Sequence, residues 1–304
     1  MRMAGRSTGL LWVLCVISSA AGWAGQEAPP PYDLVEVSAS VVMAHHDNGS
    51  NLSCIALQDG LVFVDAGLST RVAARFRHEM EARFERPATA LVLTHAHLDH
   101  VLGMAAFDDL PAIAAAAGRP RWQHLTGIEW DERATAAYAA IFPTLPDELP
   151  EAELRMPDRW FDDELDLGGA VVRRVRGHTD DSSAIVVADG SVVIAGDLVQ
   201  AARRPYFGEP DTDFSAWIGT LRTWEDLKPD AVCPGHGPVI DTTGLAAIRL
   251  WFERILAVAA ELKADGATLE DMIAHDGLSG GYWPTEETVP RWWGFCVKRL
   301  YDAS

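Results

Sequence analysis

Cysteine is scarce in this 304-residue chain: there are four, Cys15, Cys54, Cys233 and Cys296, with no C-x-x-C pair among them. A thiolate zinc knuckle and a disulfide framework both need regularly spaced cysteines, so neither is expected. Basic residues are also few. Lys and Arg number 25 against 44 Asp and Glu, the net charge is −19, and no Lys/Arg run occurs. Phosphate backbones select for clustered cations, so no nucleic-acid partner is expected. The two G-x-S-x-G matches, Gly5-Arg6-Ser7-Thr8-Gly9 and Gly277-Leu278-Ser279-Gly280-Gly281, follow no strand-like run, so no serine-nucleophile elbow is expected. There is no internal repeat and no low-complexity tract. Past residue 24, no apolar run is long enough to span a bilayer.

The one long apolar run lies at the start. Arg2 and Arg6 precede an unbroken apolar stretch over 10–17, and Ser18, Ser19, Ala20, Ala21, Gly22 and Ala24 follow. This is the pattern of a secretory signal peptide over residues 1–24, with cleavage after Gly22 or Ala24. The expected product is periplasmic or secreted and has no stable membrane association. Its oligomeric state is left open, as is any disulfide among the remaining Cys54, Cys233 and Cys296. Residues 25–33, with Pro29, Pro30 and Pro31, read as an extended leader. Residues 34–304 read as one domain, with an insertion at about 110–167 and a C-terminal helical segment over 245–304.

Within that domain, Val-rich residues 34–44 read as strands. Residues 53–57 and 61–65 form a hairpin about Asp59-Gly60. Ser69 caps a helix reaching 84, and Pro87 ends it. Residues 90–93 form a short buried strand. The stretch 170–176, 184–188 and 192–195 resumes as strands, with a tight turn at Asp189-Gly190. A helix over 214–227 precedes a strand at 231–233, and 245–263 is an amphipathic helix. Two runs of strands separated by helices point to two packed sheets with helices outside.

The chemistry enters where the 90–93 strand ends. Thr94-His95-Ala96-His97-Leu98-Asp99-His100 holds four potential metal ligands within six residues. Side chains leaving a strand alternate with a period of two, so His95 and His97 face the same side and can share one metal. Asp99 and His100 lie past the bend and can address a second. Imidazole and carboxylate suit zinc. Three more candidates, His178, Asp197 and His236, each follow a strand and sit among glycines: Gly177-His178, Gly196-Asp197 and Gly235-His236-Gly237. Glycine lets backbone turn sharply beside a crowded centre. On strand ends, these loops gather at one sheet edge.

These motifs, in this order over roughly residues 35–245, resemble the metallo-β-lactamase-fold hydrolase superfamily. The resemblance implies an α+β fold, a four-layer αβ/βα sandwich of two mixed β-sheets with helices outside. It implies two metal ions, zinc being expected and iron or manganese also compatible. His95, His97 and His178 would hold one, Asp99, His100 and His236 the other, and Asp197 would bridge them. Asp65, in Val64-Asp65-Ala66-Gly67, would support the ligand loop. A hydroxide shared by the two ions would attack a small-molecule ester, thioester, lactone or lactam, with Asp99 orienting it and then protonating the leaving group. Arg203-Arg204-Pro205-Tyr206-Phe207 follows Asp197, so Tyr206 and Arg204 are candidate substrate contacts.

Departures from the family narrow the reading. Class B β-lactamases usually carry Cys or Ser where Asp197 stands, so a β-lactamase proper is the less favoured alternative. Glyoxalase-II-like thioesterases usually read Gly-His-Glu-Tyr-Thr, whereas Pro234-Gly235-His236-Gly237-Pro238 stands here. Flavodiiron proteins put Glu at the place of His97. An iron-dependent redox enzyme or oxygenase on the same scaffold is a second class. A binding protein with a structural metal is a third, and it would usually have lost a ligand. His45, His46, His78, His124 and His275 read as non-ligands. Trp251, Trp283, Trp292 and Trp293 read as packing residues.

Overall fold

The computed structural model describes residues 31–46, 49–187, 190–279 and 292–304. The signal peptide, most of the leader, Asn48, Asp189 of the tight turn, and Trp283 lie outside the described residues.

Seven strands form the first sheet in sequence order: β1 (Asp33–Glu36), β2 (Val41–His45), β3 (Leu52–Leu57), β4 (Gly60–Val64), β5 (Ala88–Val92), β6 (Ala112–Ala115) and β7 (Arg159–Phe161). Pairs from β1 to β4 are antiparallel, and those from β4 to β7 are parallel. The second sheet contains β8 (Glu164–Asp166), β9 (Ala170–Arg174), β10 (Ser183–Val187), β11 (Val192–Gln200) and β12 (Ala231–His236). It is antiparallel except at β11–β12, so both sheets are mixed. The helices are α1 (Thr70–Phe84), α2 (Leu98–Val101), α3 (Arg119–Thr126), α4 (Glu132–Ala139), α5 (Leu145–Glu148), α6 (Phe214–Leu227), α7 (Thr242–Ala264), α8 (Leu269–Ile273), α9 (Asp276–Ser279) and α10 (Trp293–Ala303).

Strand alternation explains the layering. In β2, Val41 and Met43 face the second sheet and meet Val172, Ile185 and Ile194. Val42 and Ala44 point the other way and pack with Phe76 and Met80 of α1. The outer face of the second sheet offers Val193 and Ala195 to Trp217 and Leu221 of α6, Phe252 and Ile255 of α7, and Val297 of α10. Both faces of both sheets are therefore covered, which is why the strands read as near-continuous apolar runs. Local signals set the helix starts. Ser69 Oγ accepts from Val72 N at the head of α1, and Asp213 accepts from Ala216 N at the head of α6.

The stretch at 110–167 contributes more to the sheets than its sequence suggests. Its ends supply β6, β7 and β8, and only 116–151 between them is helical. Ala112-Ile113-Ala114-Ala115 carries helix-favouring alanines. Pairing with β5, where Leu93 N donates to Ile113 O at 2.9 Å, and burial on both faces override that local preference.

Cys54, Cys233 and Cys296 are free and buried, each in a different apolar cluster. No two can meet, so no disulfide forms among them. Burial pushes all three thiols up, that of Cys233 to about 12, and so holds them away from the reactive thiolate. The native protein should therefore leave these three unlabelled by a maleimide at pH 7. Unfolding should expose all three, as read by mass spectrometry; native labelling of any one would contradict its burial.

Candidate metal centre

β4 and β5 run parallel, and the centre starts at their ends. Asp65 follows β4 with φ of 60°, a left-handed conformation that Asp tolerates better than most residues. Its carboxylate accepts from Thr94 N and Thr94 Oγ1, both at 2.8 Å, and from His100 Nδ1 at 2.8 Å. That third bond fixes the His100 tautomer and leaves Nε2 facing inward. Thr94 Oγ1 in turn lies 3.0 Å from His95 Nδ1, which can donate to it, so His95 Nε2 also points inward. His97 Nε2 donates to Glu209 Oε1 at 3.2 Å, which turns Nδ1 toward His178 Nε2 at 3.1 Å. His178 Nδ1 donates to Tyr206 O at 2.9 Å, and His236 Nδ1 donates to Gly49 O at 3.0 Å. Five imidazoles thus have one nitrogen occupied outside the cluster and the other aimed into it.

Asp197 arrives by an irregularity. β11 runs past Ala195 to Gln200, and its register with β12 shifts on both sides of Gly196, whose φ is +51°. Such bulges bend a strand and re-aim a side chain. Asp197 Oδ1 ends 3.1 Å from His100 Nε2 and 3.4 Å from His236 Nε2, while Oδ2 lies 3.7 Å from His178 Nε2. Asp99 Oδ2 is 3.2 Å from His236 Nε2. The seven side chains fall into two adjoining groups that could each hold a metal ion: His95, His97, His178 and Asp197 in one, Asp99, His100 and His236 in the other.

The donor set fits a cation. Three of the eleven buried side-chain atoms without a hydrogen-bond partner among the described residues, His95 Nε2, His100 Nε2 and Asp197 Oδ1, converge in this cluster. Unpaired buried polar atoms are costly, so their convergence calls for a ligand. Burial and neighbouring imidazoles hold the His95 pKa well below its usual range, and the same causes bring His178 to about 4. Burial is the largest influence on His100 and His236 and acts to lower both, but the neighbouring carboxylates together outweigh it and raise them: Asp197, Asp65 and Asp99 for His100, Asp197 and Asp99 for His236. Asp99 and Asp197 are held below the ordinary carboxylate range: burial opposes this, but His100 and His236 prevail.

The flanking glycines have a steric cause. A Cβ on Gly235 would lie 2.0 Å from Asp197 Oδ1 and 2.7 Å from the Gly196 carbonyl carbon. Gly235→Ala should therefore displace Asp197 and lower metal content in the purified protein. Full metal loading in that variant would show that the loop can yield.

Several supporting residues carried no sequence signal. Arg121 on α3 donates to Glu209 Oε2 at 2.8 Å and to both Asp211 oxygens at 2.9 and 3.0 Å. Asp181 accepts from Ala96 N at 3.0 Å, inside the histidine motif. Asn51 Nδ2 donates to Pro234 O at 2.9 Å and Gly237 O at 2.8 Å, bracketing His236. His45 Nδ1 lies 3.1 Å from Asn51 Oδ1, so this histidine steadies the bracket. These partners lie up to 186 residues apart, so spacing could not pair them.

The cleft over the cluster places the two candidate substrate contacts differently. Tyr206 lines it, its hydroxyl 3.4 Å from Glu209 Oε1. Arg203 lines it as well, but Arg204 does not. Arg204 is 7% exposed, with its guanidinium 5.8 Å from the Trp293 ring centroid.

Residues 47–236 match the family described as the metallo-beta-lactamase superfamily. A metallo-beta-lactamase type 2 from Bacillus sp. (strain 170) is 24% identical over 200 residues, covering 63% of this chain and 68% of that protein. The hydroxyacylglutathione hydrolase GloC of Haemophilus influenzae is 28% identical over 160 residues, covering 48% and 68% respectively. A solved structure of a double mutant of the sec-alkyl sulfatase PisA1 superposes with a TM-score of 0.65 at 16% identity, covering 90% of this chain and 50% of that one.

Proposed function

We propose, from the premise that this chain belongs to the metallo-beta-lactamase superfamily, that it is an exported hydrolase holding two zinc ions and cleaving an ester, thioester, lactone or lactam. The observation that carries this reading is the pair of adjoining ligand groups, with orphaned His95 Nε2, His100 Nε2 and Asp197 Oδ1 between them. His95, His97 and His178 would hold one ion, Asp99, His100 and His236 the other, with Asp197 shared. Bound there, such ions would ionise water near neutral pH, as a single zinc brings its bound water to about 7, and would polarise the scissile carbonyl.

The chain's own groups supply the rest. Asp99 is buried yet lines the cleft. Its carboxylate can orient a water molecule by accepting its proton and later hand that proton to the leaving group. Gln200 Nε2 donates to Asp197 Oδ2 at 3.0 Å and holds that carboxylate in one rotamer. Glu209 keeps the proton on His97 Nε2, so Nδ1 stays free to ligate. Export is supported by Arg2, Arg6 and the apolar stretch 10–17. Among the described residues, no helix is long and apolar enough to cross a membrane.

The test is metal analysis of the purified protein, followed by a panel of esters, thioesters, lactones and β-lactams. Two zinc ions per chain are expected. Dialysis against a chelator should abolish turnover, and added zinc should restore it. Undiminished hydrolysis by metal-free protein would end the proposal.

A further inference from the structure

The cleft has a second character away from the metal ligands. Its volume is ≈ 340 Å³, near the low end of ligand pockets, and His97 and Asp99 lie at its base. One stretch of its wall is apolar: Leu125 from α3, Tyr138 from α4, Ile141 and Phe142 just after it, and Trp292 and Phe295 at the head of α10. Ile141 is 55% exposed and Phe295 63% exposed, two of only four exposed large hydrophobic residues among the described ones. Both stand on this one cleft. Apolar side chains grouped on one opening can mark a ligand-binding groove. The Trp292 ring packs edge-on against Tyr206 at 5.6 Å and fixes the start of α10 beside the ligand loops.

Beside that apolar stretch the cleft also carries Arg121, His124, Arg203 and Glu209. The Arg121 guanidinium is held by Glu209 and Asp211. An ionised substituent lodged among Ile141, Phe142, Trp292 and Phe295 would lose its hydration with no compensating pair on that wall.

We infer that the natural substrate carries an apolar aliphatic or aryl group on the bond to be cleaved, and that this group seats between the α3–α4 region and α10. The inference rests on the metal-dependent hydrolase reading of the same site.

The test reads binding rather than turnover. Linear alkyl hydroxamates from two to eight carbons present one metal-chelating head and a graded apolar tail. Titrated calorimetrically into zinc-loaded protein of verified metal content, they should tighten by about three- to fourfold per methylene over the first several carbons. In Ile141→Ser/Phe295→Ser the step per methylene should fall toward onefold. Phe295→Ser alone should give an intermediate step. Both side chains are largely exposed, and a thermal melt checks that each variant is folded.

Flat affinity across the series would overturn the apolar seat and leave the metal centre standing. Affinity climbing equally in wild type and variants would also overturn it, by placing the tail elsewhere. Doubling of mass in solution together with flat affinity would assign the patch to a second copy of the chain. No binding by any member to protein of verified metal content would overturn the seat, while failure to load zinc in the first place would overturn the metal reading beneath it.

Discussion

Asp197→Ala should purify without its full metal complement and lose hydrolysis by more than the roughly hundredfold that even an outer partner of a metal site can cost. The Asp197 carboxylate reaches both ligand groups. Its Oδ1 approaches His100 and His236 at 3.1 and 3.4 Å, and its Oδ2 approaches His178 at 3.7 Å. Removing the carboxylate deletes a ligand atom and also the negative charge that offsets a cation in a buried site. The fold should persist, because Asp197 lies at the sheet edge and its side-chain partners are other members of the site and Gln200. The metal-free variant should therefore melt close to the metal-free parent. Added metal should raise the melting temperature of the parent alone, since only a ligand that binds the folded state stabilises it. Parental metal content and turnover in Asp197→Ala would refute the assignment.

Asp65→Ala is expected to lower metal affinity by about 10- to 100-fold although Asp65 is outside both ligand groups. Its carboxylate takes three hydrogen bonds, from Thr94 N, Thr94 Oγ1 and His100 Nδ1. Alanine strands these buried donors, at about 1–3 kcal/mol of stability. It also places a residue that disfavours φ near 60° where Asp65 now sits. Asp65→Asn separates the two effects. Asparagine tolerates that backbone and can still accept from Thr94, but its NH2 group faces donors where the second carboxylate oxygen stood. Stability should largely return in Asp65→Asn while affinity stays low, because the His100 tautomer is no longer enforced. Competition against a chromogenic chelator reads the affinity, and chemical denaturation reads the stability. Unaltered affinity in both variants would remove Asp65 from the metal's support.

Much of this architecture can be read without coordinates because its determinants are short-range. The head of α1 follows from Ser69, three residues before Val72 N. The strand at 88–92 runs into His95 and His97 at a spacing that covalent geometry turns to one side. Glycines at 177, 196 and 235 mark where backbone must pass close to side chains, and Gly235 against Asp197 supplies the reason. Elsewhere local preference misleads. Alanines at 112–115 favour helix in isolation, yet pairing with β5 and burial on both faces make them strand. In the same way, no periodicity distinguishes Arg203 from Arg204.

What the chain order carries is a set of ligand types on loops that follow strands, since each such loop is specified by a few adjacent residues. What it does not carry is the outer support. Arg121 meets Glu209 across 88 residues, and Asp181 meets Ala96 across 85. The apolar seat likewise joins residues near 140 to residues near 295. These contacts exist because two sheets close against each other and bring remote segments to a common edge. Proximity of that kind is a property of the packed core, and no run of neighbouring residues encodes it.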